Sequence, residues 1–65
     1  MRVSETMDLG RLAELMGSGT TAREAEVMRR FLLEDGIADT EDVSESVWPV
    51  MIRDAVELAE SESGK

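Results

Sequence analysis

At 65 residues with a formal charge of −8, the chain is one small domain at most, of a size that buries only about 60% of the surface its unfolded form exposes. It contains no Cys and no His, so neither disulfides nor a thiolate or imidazole metal site can brace so small a core, and self-association into a homodimer is the expected staple. Tyr is missing as well, which removes the common bases and nucleophiles; carboxylates alone would need a walled cleft, so no enzyme, catalytic residue, cofactor or metal is expected.

The first residues, "MRVSETMDLG", carry no apolar run of the signal-peptide kind. No stretch reaches the roughly 18 apolar residues of a membrane span, and anionic lipid repels so acidic a chain. A cytoplasmic protein without membrane attachment is expected.

From Asp8 to Met16, "DLGRLAELM" places Leu9, Leu12, Ala13, Leu15 and Met16 at the i, i+3, i+4, i+7 spacing of one helical face. Asp8 is the candidate N-cap, and Gly17 stands where a left-handed residue would stop the helix. "GSGTT", residues 17–21, is a turn, and Thr21 with Glu24 predicts a capping box for a second helix over Ala22 to Glu34. In that helix Ala25, Met28, Phe31 and Leu32 share one face, with Glu26, Arg29 and Arg30 opposite. Asp35-Gly36 ends it, with Gly36 at the left-handed position and Ile37 folding back on the last turn.

Asp39 or Thr40 is the expected cap of a third helix, "EDVSESV", whose acids at 41, 42 and 45 suit the positive end of a helix dipole. Pro49 disfavours α geometry at Trp48 and lacks an N–H, so this helix should stop or kink near residues 46–48. A fourth helix from Pro49 to Glu60 should turn Val50, Met51, Ala55, Leu58 and Ala59 inward, and "SESGK", residues 61–65, reads as a disordered tail. No segment alternates with period two. The expected fold is all-α: a bundle of three to four short antiparallel helices over residues 1–60, dimeric, with Met28, Phe31, Leu32, Trp48 and Met51 supplying core and dimer contacts.

Two motifs are disfavoured by what they lack. "GSGTT" looks like a phosphate cradle, but the Lys and the preceding strand of a P-loop are missing. "DGIADTED" is dense enough in acids to suggest calcium, yet counting from Asp35 the sixth and twelfth positions are Thr40 and Ser46 rather than Gly and Glu. "LAELMG" resembles the start of a helix-turn-helix unit, with Ala13 followed four positions later by Gly17. That resemblance implies a homodimeric DNA-binding transcriptional regulator whose second helix directs Arg23, Arg29 and Arg30 to phosphate or guanine. It departs from the pattern at Arg23 and Glu26, where apolar residues belong. "LMG" and the segment lengths are also similar to a ubiquitin-associated module, with Ser18 where that family has an aromatic.

Charge argues against direct nucleic-acid binding. Residues 1–34 hold five Arg against six acids, whereas residues 35–65 hold nine acids against Arg53 and Lys65. Duplex affinity comes from neutralising phosphates, which this balance opposes. Trp48, the only tryptophan, is either the core's one large ring or an interface anchor with an acidic rim. The sequence therefore favours an inhibitor or regulator that binds a partner protein's basic, nucleic-acid-binding surface through Glu34, Asp35, Asp39, Glu41, Asp42, Glu45 and Trp48. Carboxylates would stand in for phosphates, and small acidic inhibitors encoded by bacteriophages resemble it in size and composition. A low-Lys, high-acid chain also fits adaptation to high salt, and a homodimeric adaptor whose acids only keep it soluble is the plainer rival.

Overall fold

In a computed structural model that describes residues 1–63, the first helix, α1, runs Leu9–Met16. The Asp8 carboxylate accepts hydrogen bonds from the backbone N–H groups of Gly10 (2.9 Å) and Arg11 (3.2 Å), satisfying two of the donors a helix start leaves unpaired. At the other end the Gly17 N–H donates to the Ala13 carbonyl, with φ at 144°, a backbone that side chains rarely tolerate.

The second helix, α2, spans Ala22–Glu34. Its capping box forms in both directions: the Glu24 N–H donates to Thr21 Oγ1 (3.1 Å) and the Thr21 N–H to Glu24 Oε1 (2.9 Å). It closes through the paired bonds of a Schellman motif, Ile37 N–H to the Leu32 carbonyl and Gly36 N–H to the Leu33 carbonyl, with Gly36 at φ 68°.

The expected third helix is absent. Residues 40–42 make only one 3₁₀ turn (Thr40–Asp42), and Ser44 then opens a tight turn whose carbonyl accepts from Val47 (3.1 Å) and Trp48 (3.0 Å). The seven residues 41–47 are too short a stretch to repay helix nucleation without packing contacts of their own. The two serines add hydroxyls that compete with the backbone ladder; Ser44 Oγ takes a second bond from the Val47 N–H.

The last helix, α3, runs Trp48–Ser63. Pro49 therefore does not separate two helices but lies in the first turn of one, where no N–H is needed. The helix also runs past Glu60 through residues 61–63 of the expected tail, because Glu62 is gripped by two arginines of α2; residues 64 and 65 lie outside the described residues. The bundle thus has three α-helices and no named strand among the described residues, where three to four were expected. α2 is the central helix: α1 and α3 both pack against it and scarcely touch one another.

That placement explains the core. Ala25, Val27, Met28 and Leu32 of α2 are buried over a broad arc because two neighbours cover the helix. They meet Leu12, Ala13 and Met16 from α1 and Met51, Ala55 and Ala59 from α3, with Trp48 and Phe31 packed at the margin. Met28 and Leu32 are wholly enclosed and Met51 is buried, so these three belong to the core of the chain. Two expected inward residues face out: Leu15 is 49% exposed and Val50 45%. At about 100° per residue, Leu15 falls to one side of the Leu12, Ala13, Met16 stripe, and Val50 lies about 100° from Met51.

The N-terminal segment is tied down as well. The Val3 N–H donates to the Ala38 carbonyl (2.9 Å) and the Thr40 N–H to the Met1 carbonyl (2.9 Å), an isolated antiparallel bridge between Arg2 and Asp39. It brings Val3 into the core.

Candidate functional site

α1 and α3 scarcely touch one another, and an opening remains between the last turn of α1, at Leu15, and the start of α3 at Trp48. The segment between α2 and α3 crosses this opening. Leu15 from α1, Trp48 from α3, and Thr40, Glu41, Val43 and Glu45 from the connecting segment line a groove of about 530 Å³. Half of its lining is apolar side chain that the folded chain has not covered: Leu15 is half in solvent, and Val43 and Trp48 are half-buried. Val47, next to Trp48, is 47% exposed.

The carboxylates fall into two kinds. Asp39 is taken up by its own fold: its Oδ1 accepts from the Glu41 N–H (2.9 Å) and lies 3.0 Å from the Met1 amino nitrogen. These contacts, the Glu41 hydrogen bond first, hold the Asp39 carboxyl below its usual range. Thr40 accepts from the same amino group and is the one buried polar side chain among the described residues. Glu34, Asp35, Glu41, Asp42 and Glu45 are exposed and make no ion pair with any described residue. Of the seven residues expected to meet a partner, the groove gathers Glu41, Glu45 and Trp48; Glu34 and Asp35 end α2, Asp42 is outside the lining, and Asp39 caps the 3₁₀ turn.

The three arginines proposed to touch DNA are occupied. Arg23 and Arg30 converge on Glu62 of α3, at 2.8 Å and 3.1 Å, and Arg23 lies 3.8 Å from Glu26. Arg29 donates to the Glu5 carbonyl (2.9 Å). The 17–21 turn, read from the sequence as a turn and not a phosphate cradle, borders a concavity whose one charged lining residue is Glu14, which repels an anion. No group of three or more metal-ligating side chains converges among the described residues, and no described helix is long and apolar enough to cross a membrane.

Sequence reasoning missed Leu15, Thr40 and Val43 as parts of a site. Leu15 carried a readable signal, its offset from the Leu12 and Met16 stripe; Thr40 and Val43 carried none, since their placement depends on the third helix failing to form. No protein-family model matches the sequence, and no curated protein matches it.

Proposed function

We propose that the protein is a small acidic interaction module, a regulator or inhibitor that binds a basic surface on a partner protein of the nucleic-acid-handling kind. The supporting observation is the run from residue 31 to 52, which holds six carboxylates and no Lys or Arg and presents five of those acids to solvent without a described partner. Carboxylates matched by local arginines cancel each other's field. Unmatched ones project it, steering a positively charged partner and penalising a negative one. In this reading the acids take the place of phosphates and the protein acts in the cytoplasm, in the manner of a nucleic-acid mimic. Direct duplex binding has less support, because Arg23, Arg29 and Arg30 are engaged within the chain.

The test is displacement. Titrated into complexes of a labelled duplex with each of a panel of basic DNA-binding proteins, the wild type should release the duplex from at least one, less effectively as salt rises. The double variant Glu41→Lys, Asp42→Lys should release none. Equal displacement by both proteins, or none by the wild type, overturns the proposal.

A further inference from the structure

We infer that the Trp48 groove docks an amphipathic segment of the partner, one that inserts an apolar side chain between Leu15 and Trp48 and places flanking Lys or Arg beside Glu41 and Glu45. The inference rests on the reading above and deepens it: an acidic surface alone would bind any cation, whereas this groove selects a cation next to a hydrophobe.

Charge complementarity decides the occupant. The groove presents Leu15, Val43 and Trp48 together with Glu41 and Glu45, and neither carboxylate is paired with a described residue. A second copy of a chain at −8 would bring more acid against these carboxylates. An acidic peptide meets the same repulsion, and a purely polar basic peptide leaves the Leu15 and Trp48 surfaces wet. A basic amphipathic segment satisfies both halves of the site, the apolar contact supplying affinity and the charges orientation. The connecting segment is suited to hold such a groove open. Its 3₁₀ turn is fixed by the Asp39 carboxylate and by the Thr40 bond to Met1, so Glu41 is carried on an anchored backbone.

Trp48 is the only tryptophan and Tyr is absent, so intrinsic fluorescence reports on the groove alone. Three short synthetic peptides serve as probes: a Leu/Lys amphipathic peptide, a Gly/Lys peptide of equal charge, and a Leu/Glu peptide. The Leu/Lys peptide should shift Trp48 emission to the blue and bind about tenfold more tightly than Gly/Lys, the worth of burying part of one leucine side chain. Leu15→Ser should remove that advantage while the helical circular dichroism is retained. Glu41→Gln with Glu45→Gln, both on exposed side chains, should weaken Leu/Lys binding and flatten its salt dependence.

If Leu/Lys and Gly/Lys bind equally and Leu15→Ser changes nothing, the groove is not the dock, although the acidic-surface reading stands. If neither lysine peptide binds at low salt, both fail. Tight binding of Leu/Glu overturns the charge argument. A dimer in sedimentation that Leu15→Ser converts to a monomer assigns the groove to a second copy and overturns the inference.

Discussion

The two flanks of α2 carry similar chemistry and resolve it in opposite ways. On the α3 flank, small residues Ala55 and Ala59 are buried, letting the helices approach closely, and Glu62 is clasped between Arg23 and Arg30. At the end where α1 stops, the acids Glu41 and Glu45 have no described arginine beside them, and Leu15, Val43 and Trp48 stay partly uncovered. The difference teaches that acid density is a poor guide to function on its own. Carboxylates that the chain matches with its own cations serve the fold, and those left unmatched beside apolar surface are available to a partner.

That comparison can be broken or sharpened by substitution. The largest effect should come from the helix that serves both flanks. Leu32→Ala, at a side chain with no exposed surface, should cost about 2–5 kcal/mol in urea denaturation, enough to unfold much of a domain this small. A loss below about 1 kcal/mol would mean that α2 is not the shared spine.

Next come two substitutions on one helix. Ala55→Leu should cost about 1–3 kcal/mol by overpacking the closed flank, whereas Val50→Leu, at a half-exposed position, should lie within about 0.5 kcal/mol of wild type. Similar costs for both would erase the distinction between a packed and an open side.

Smaller still is the charge clasp. Its members are about a third or more exposed, so screening limits it: Glu62→Gln should lower stability by a few tenths to about 1 kcal/mol at low salt and by almost nothing at high salt. A loss that persists at high salt would show that Glu62 acts through packing.

The smallest effect concerns Asp39. Its carboxyl is held below the ordinary range of about 3.8 in the folded chain, so its contribution is complete above that range and is lost as pH falls through the lower, folded value. Asp39→Asn should therefore flatten the acid limb of the stability profile, followed by helical circular dichroism. A profile unchanged below pH 4 would remove Asp39 from the anchoring of the 3₁₀ turn.

Much of this was legible in the sequence, for identifiable reasons. Asp8, Thr21 with Glu24, and the Gly36-Ile37 pair are local signals whose hydrogen bonds close within a few residues, and each forms at the expected place. The segment from Asp39 to Pro49 was misread because its local cues, caps and acids, favour a helix that only length and tertiary contact can decide. The burial on α2 was half-read: the inward face was drawn through Ala25, Met28, Phe31 and Leu32, and Val27, not placed on it, is enclosed because the helix has two neighbours. The groove was invisible, since its walls come from three separate parts of the chain. What the sequence offered toward it was Trp48, whose uniqueness and proline neighbour drew attention without revealing that it lies beside Leu15.

The bridge between Arg2 and Asp39 closes the chain around the whole of α1 and α2. The α1–α2 hairpin needs only neighbouring residues, whereas this closure carries the entropy of a long loop. Thr40, part of the groove's lining, is tied to that closure through its bond to Met1. On the proposed reading, a partner that filled the groove would act as a latch on the fold, because whatever binds only the closed form favours it.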